Sequence, residues 1–299
     1  MEEGYLQNQQ YSLKQQDSTD RRYPVNQIIP FSCVDGPGNR TAVFLQGCNI
    51  DCQYCHNPET RRLCVSCGAC VAKCPVQALY IENGKVKFLP EKCVRCDTCI
   101  HVCPHDASPR IRYMSAREVF SEVQKYDVYI SGVTVSGGEC TLYPDFLAEF
   151  FALCKEAGLN TLLDSNGMIS YESLPDVMAV TDGVMLDMKA FDSGEHRKVT
   201  GFDNSQILQN AAYLAEIGKL AEIRTVMVPG LNDGEAIIRQ IADFLKPHMD
   251  IASLRYKLIA FRQNGVREQY RHYPQPDASY MESMRQCALQ AGFREIIVI

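Results

Sequence analysis

Two runs of cysteine carry the strongest chemical signal in this chain. Cys64, Cys67, Cys70 and Cys74-Pro75 read C-x2-C-x2-C-x3-C-P, and Cys93, Cys96, Cys99 and Cys103-Pro104 repeat the spacing. Tight turns between the first three thiolates of such a run let them grip three corners of one iron–sulfur cube, while the fourth reaches across to the other cube. The expected sets are therefore Cys64, Cys67, Cys70 with Cys103, and Cys93, Cys96, Cys99 with Cys74, each around one [4Fe–4S] cluster. That crossing locks the two halves together, so residues 61–112 need little apolar core. The alternative is a structural zinc module, because C-x2-C pairs also bind zinc tetrahedrally. Eight regularly spaced cysteines with both prolines in place favour iron–sulfur.

A third group, Cys48, Cys52 and Cys55 in GCNIDCQYCHNP, supplies three thiolates with no obvious fourth. A cube held at three corners keeps one iron open to an outside ligand, much as a catalytic zinc withholds one protein ligand. A zinc site completed by His56 is the competing reading, and Tyr54 just before the last cysteine fits the cluster better. The remaining Cys33, Cys140, Cys154 and Cys287 are expected to be solitary buried thiols acting as small hydrophobes.

The elements that must position these groups follow from composition and periodicity. The 299 residues are 46% hydrophobic with a net charge of −6, and the mean hydropathy is −0.19 with a pI near 5.6. No stretch is long and apolar enough to span a bilayer, and the acidic balance argues against a nucleic-acid partner. The Gln-rich start lacks the basic and apolar regions of a signal peptide, so a cytoplasmic location without a membrane partner is expected. Fifteen cysteines in a long chain of that kind, eleven of them between 48 and 103, read as metal ligands rather than disulfides. Residues 1–22 are expected to be a flexible extension. Apolar β-rich runs at 41–46, 133–136, 160–164, 183–187, 221–228 and 253–259 alternate with helical patterns at 116–126, 145–157, 205–217, 234–246 and 278–291. Such alternation predicts βαβ units and a parallel sheet, and six strands suit a partial barrel better than a closed eight-stranded one. The barrel is expected over 23–60 and 113–299, with 61–112 inserted as a ferredoxin-like unit.

Ligands of parallel α/β folds sit at the carboxyl ends of strands, and each expected strand delivers polar residues there. Ser136-Gly137-Gly138-Glu139, Asp164-Ser165-Asn166-Gly167 and Asp187-Met188-Lys189 end three of them, and Arg224 lies on a fourth. Gly137 and Gly138 allow close backbone approach, and Glu139 offers an acceptor for an ammonium. Plainer readings exist for each: a Gly-Gly turn, helix-capping aspartates, and salt bridges from Lys189 and Arg224 to Asp187 or Glu222.

The string FSCVDGPGNRTAVFLQGCNIDCQYCHNP (31–58), with its C-x3-C-x-aromatic-C core, resembles the activating enzymes of glycyl radical enzymes within the radical S-adenosylmethionine (radical SAM) superfamily. The resemblance implies a partial (β/α)6 barrel of the radical SAM type, three [4Fe–4S] clusters and bound S-adenosylmethionine. It places Tyr54, Gly138, Glu139, Asp164, Ser165, Asp187, Met188, Lys189 and Arg224 around that cofactor. A monovalent cation near Asp164, Met185 and Asp187 is also implied. Cys140, where proline is common after GGE, and Arg262, where a histidine is usual, depart from the pattern, and Arg262 is left out of the binding set. The implied reaction is reductive cleavage of S-adenosylmethionine at the Cys48/Cys52/Cys55 cluster to a 5′-deoxyadenosyl radical. That radical removes hydrogen from a glycine of a partner glycyl radical enzyme, and no side-chain acid or base is required. A low-potential donor such as flavodoxin or ferredoxin would supply the electron. The alternatives are a radical SAM enzyme acting on a small molecule or nucleoside, and an iron–sulfur electron carrier.

Overall fold

The computed structural model describes residues 21–299; the expected extension therefore lies almost wholly outside the described residues. In chain order the strands are β1 (Tyr23–Ser32), β2 (Arg40–Leu45), β3 (Leu79–Glu82), β4 (Lys85–Phe88), β5 (Arg112–Met114), β6 (Gly132–Gly137), β7 (Asn160–Ser165), β8 (Gly183–Asp187), β9 (Leu220–Met227), β10 (Arg255–Ala260) and β11 (Glu295–Val298). The α-helices are α1 (Thr98–His101), α2 (Ala116–Gln124), α3 (Pro144–Glu156), α4 (Pro175–Val180), α5 (Ser193–Thr200), α6 (Ser205–Glu216), α7 (Gly234–Leu245) and α8 (Ala278–Ala291).

Nine strands form one sheet in the order β11-β10-β9-β8-β7-β6-β2-β1-β5. From β2 to β11 all neighbours are parallel, and from β6 onward they follow one another in sequence, so the chain winds in one direction as a barrel does. Among the described residues the sheet does not close, because β5 and β11 are both edges. All six expected strands are present, and the expected count of six is corrected to seven parallel strands by β11. Two antiparallel strands, β1 and β5, widen the other edge. The four residues of β11 are too few to show a period. β1 contains Pro24 and Pro30, which argue against a central strand, but beyond Val25 only β2 pairs with it, so Pro30 meets no second ladder.

Alternation along the strands separates two faces. Val133, Val135, Leu163, Leu186 and Ile223 are fully buried in the core that also holds Phe146, Phe150 and Phe151 of α3 and Ile237, Ile238 and Ile241 of α7. Burying each such side chain contributes about 1.5–3 kcal/mol. The intervening residues (Ser136, Asp164, Arg224) face the other way, into the hollow of the curved sheet. Helix ends are marked where the sequence supplies them: Ser115 and Glu118 form a reciprocal capping box on α2, and Gly158, at φ +75°, follows α3. Among the described residues no helix is long and apolar enough to cross a membrane.

The segment between β2 and β5 has its own short hairpin, β3–β4, and little else that is regular. Its backbone repeats itself at an offset of 29 residues: left-handed conformations at Ser66, Gly68 and Gln77 recur at Arg95, Asp97 and Asp106. The amide of Ser66 donates to Cys64 Sγ at 3.4 Å, and that of Arg95 to Cys93 Sγ at the same distance.

Candidate functional site

The three-cysteine loop leaves the carboxyl end of β2 and is clipped at its neck. Gln46 Nε2 donates to the carbonyls of both Glu59 and Arg62 at 2.6 Å, while Asn26 donates to its Oε1 at 2.8 Å. The Gly47 and Cys48 amides donate to the carbonyls of Thr60 and Arg61. The tip is held by α5, where Asp51 and Gln53 amides donate to Thr200 and Val199 carbonyls. Cys48, Cys52 and Cys55 then line one wall of a cavity of about 320 Å³. Tyr54, Gly138, Asp164, Ser165, Asp187, Lys189 and Arg224 line it too, so seven of the nine expected cofactor residues face the same space as the three thiols. No fourth cysteine lines this cavity among the described residues.

Glu139 and Met188 do not line it. Glu139 is 1% exposed, and its carboxylate accepts from Thr141 Oγ1, the Thr141 and Asn166 amides and Ser165 Oγ. Burial pushes this carboxyl up, with those donors pulling the other way. In this structure the side chain ties the ends of β6 and β7 together and the Gly-Gly backbone is what borders the cavity. Met188 contributes its carbonyl to Thr225 Oγ1 at 3.0 Å.

The charged side chains meet one another across the cavity wall. Lys189 Nζ lies 2.8 Å from Asp187 Oδ2 and 5.8 Å from the centre of the Tyr54 ring. Burial opposes its charge, but Asp187, Cys52 and Tyr54 outweigh it and hold the ammonium well above the ordinary lysine range. Arg224 pairs with Asp164 at 2.9 Å and with Glu222, and Nη2 donates to Met185 Sδ at 3.0 Å. The plainer salt bridges thus coexist with a place in the cavity. Ser136 Oγ donates to the other Asp164 oxygen at 2.7 Å. Asp164 and Asp187, the carboxylates of the expected cation site, already spend oxygens on these partners.

Asp35 and Arg61, which sequence reasoning overlooked, also line the cavity, as do Ser136 and Asn166, expected at the strand ends but outside the cofactor set. Asn166 Nδ2 lies 3.8 Å from Cys48 Sγ and 2.8 Å from Asn49 Oδ1. Period-2 alternation in VTVS marks Ser136 as inward, and Asn166 stands within the quoted DSNG string; Arg61 carries no local signal. Cys140, Cys154 and Cys287 are buried as expected, but Cys33 is exposed, because its loop joins β1 to β2 at the sheet surface.

The donor sets fit iron–sulfur cubes. Cys64, Cys67, Cys70 and Cys103 surround one hollow, and Cys74, Cys93, Cys96 and Cys99 surround another. At the three-cysteine site burial raises the Cys48 thiol, with an amide bond from Ile50 opposing, and pushes Cys52 up to about 12. Thiols so buried ionise when a cationic core replaces their protons. Among the described residues no three His, Cys, Asp or Glu side chains close on a single-ion point; a cube places each sulfur on its own iron and requires no such point.

Gly138 fixes how closely the two walls approach. A Cβ there would lie 2.1 Å from the Gly47 carbonyl oxygen and 2.8 Å from that of Thr60. Neither is a side chain that can rotate away. Gly138→Ala is expected to cost about 1–3 kcal/mol or more, read by urea unfolding, and to lower the iron bound per chain by displacing the Cys48 loop.

The chain matches the radical SAM superfamily over residues 42–241. It is 33% identical over 250 residues to the pyruvate formate-lyase-activating enzyme of Streptococcus mutans, covering 81% of this chain and 78% of that protein. With the choline trimethylamine-lyase activating enzyme of Oleidesulfovibrio alaskensis it shares 31% identity over 271 residues, covering 83% of this chain and 86% of the relative. The crystal structure of Streptococcus suis SuiB superposes with a TM-score of 0.55 at 14% identity, over 85% of this chain and 47% of SuiB, a likeness of fold. The chain is a radical SAM enzyme and, within that superfamily, belongs to the activating enzymes of glycyl radical enzymes.

Proposed function

We propose that this enzyme cleaves S-adenosylmethionine reductively at Cys48, Cys52 and Cys55 and directs the 5′-deoxyadenosyl radical onto a glycine Cα of a partner glycyl radical enzyme. One observation carries the reading: three thiols on one loop share a cavity with the Gly137-Gly138 turn, and among the described residues no fourth cysteine lines it. A four-iron cluster bound at three corners supplies the electron and an open coordination position. The chain's own residues supply orientation. Carboxylates of Asp35, Asp164 and Asp187 face cations of Arg61, Lys189 and Arg224, a balanced lining suited to a ligand carrying an ammonium, a carboxylate and a sulfonium. The Gly137-Gly138 backbone borders the cavity, and the Tyr54 ring and Lys189 close the wall beside Cys52. A monovalent cation at Asp164, Met185 and Asp187 would have to compete with Arg224 and Lys189, which already neutralise those carboxylates. The Cys64/Cys67/Cys70/Cys103 and Cys74/Cys93/Cys96/Cys99 sets hold two further clusters in this reading, supported by the repeated amide–sulfur bonds and by the crossing of the fourth cysteines.

Anaerobic reconstitution tests this. About twelve irons per chain are expected from three four-iron clusters, with 5′-deoxyadenosine released on reduction and a glycine-centred doublet in the EPR spectrum when the partner is added. Nucleoside release with no doublet on any glycyl radical enzyme would support a small-molecule substrate, and iron without nucleoside would support an electron carrier.

A further inference from the structure

The inserted segment has an inner and an outer half. Cys64 lies two residues beyond Arg62, and the Arg61 carbonyl accepts the Cys48 amide at 2.9 Å. On the return strand Ala107 bridges Arg62, and the Ser108 amide donates to Glu59 at 2.8 Å. The Arg61 guanidinium pairs with Asp51 of the three-cysteine loop at 2.7 Å and faces Asp106, just beyond Cys103, at 3.5 Å. The Cys64/Cys67/Cys70/Cys103 set is thus joined to Cys48 by a short peptide stretch and one hydrogen bond. Among the described residues, no hydrogen bond or ion pair links 71–99, which holds the other set, to the loop 47–57.

The outer half is also the basic part of an acidic chain. Residues 73–95 carry Lys73, Lys85, Lys87, Lys92 and Arg95 against Glu82 and Glu91, whereas the whole chain has net charge −6. All five cations are exposed, and none has an ion-pair partner among the described residues. Lys92 borders a surface hollow on the other side of Cys74 from the one ringed by the four thiols, and Val94, which lines the four-thiol hollow beside Cys93, is 62% exposed.

We infer that this outer face is the entry port for electrons from a reduced, acidic one-electron carrier protein, with the Cys64/Cys67/Cys70/Cys103 set lying between it and the three-cysteine site. The inference rests on reading 61–112 as a two-cluster unit. One electron leaves the carrier, which is oxidised by one, and is taken up at the three-cysteine site; the clusters that Cys74/Cys93/Cys96/Cys99 and Cys64/Cys67/Cys70/Cys103 would hold would supply the redox-active groups between, and no bond forms or breaks on the way. Charge complementarity steers such an encounter and fades as salt screens it.

The test uses the reconstituted full chain and reduced flavodoxin as the probe, with reduction of the three-cysteine site followed by rapid-freeze EPR. The triple variant Lys87→Glu, Lys92→Glu, Arg95→Glu is expected to be reduced at least about tenfold more slowly at low ionic strength, with the gap closing as salt is raised. Reduction by photoreduced deazaflavin, a small uncharged reagent, is expected to be unchanged. In the unaltered protein the flavodoxin rate is expected to fall between about 20 and 500 mM salt. A salt-independent rate, or a triple variant as fast as the parent, would overturn the entry port. Iron content separates this from the underlying reading: about four irons per parent chain removes the two-cluster unit and the proposal with it, whereas about twelve with unaltered rates removes the proposal alone.

Discussion

Replacing Cys52 with alanine is expected to abolish 5′-deoxyadenosine formation, by at least about a thousandfold, because a cube held by only two thiolates is not retained in an open cavity. Cys52 is 7% exposed, its thiol is pushed up to about 12 by burial, and Lys189 is the main group favouring its ionised form. Only a bound metal core makes that sulfur a thiolate at neutral pH. Iron should fall by about four per chain, from roughly twelve to eight, since the two sets in 61–112 draw on other cysteines. Cys154→Ala is the control: this thiol is fully buried in the α3 core and lines no site, so the variant should lose about 1 kcal/mol of stability while keeping its iron and its nucleoside release. A Cys52→Ala protein with full iron and undiminished cleavage would mean that the electron acts elsewhere.

The second large effect concerns stability together with binding. Arg224→Met removes a guanidinium that is 7% exposed and joins Asp164 to Glu222. Burial alone would lower its pKa; Asp164 and Glu222 reverse that and raise it. Breaking a buried pair by deleting one partner costs about 3–5 kcal/mol, because the other charge is left uncompensated. Glu222 keeps Arg255 at 2.8 Å and Lys257 at 3.4 Å, so the loss falls mainly on Asp164, which retains only Ser136. About 3 kcal/mol is therefore expected in urea unfolding, with a higher KM for S-adenosylmethionine than the parent. Adding Asp164→Asn to Arg224→Met should cost less than Asp164→Asn does in the parent, since the unpaired charge is gone. A loss under about 1 kcal/mol for Arg224→Met would place these side chains among weakly coupled surface pairs.

Apolar β-rich runs were enough to locate β2, β6, β7, β8, β9 and β10, although the inward face is polar only in part, with Phe44, Val226 and Ile259 also facing the cavity. That signal missed β11, too short for a period, and β1, whose prolines are tolerated only because of where its neighbours end. The cysteine groupings were legible for a different reason: close spacing along the chain already brings most members of each set to one hollow. The orientation of Glu139 was not legible. Its carboxylate is held out of the cavity by Thr141, Ser165 and Asn166, and two of those three come from the end of the next strand and the residue after it. Arg61 was hidden for the same reason, since its partners Asp51 and Asp106 lie on either side of it at distances the linear string does not encode.

The clip made by Gln46 bears on how the protein survives air. One amide group pins Glu59 and Arg62 at the base of the three-cysteine loop without help from any sulfur, and Thr200 and Val199 hold the tip. The loop is therefore expected to keep its shape when oxygen strips iron from it, which unchanged protease resistance of the iron-free chain would show. Recovery after exposure to oxygen becomes a matter of resupplying reductant, iron and sulfide to a loop that has kept its shape, rather than of refolding the chain.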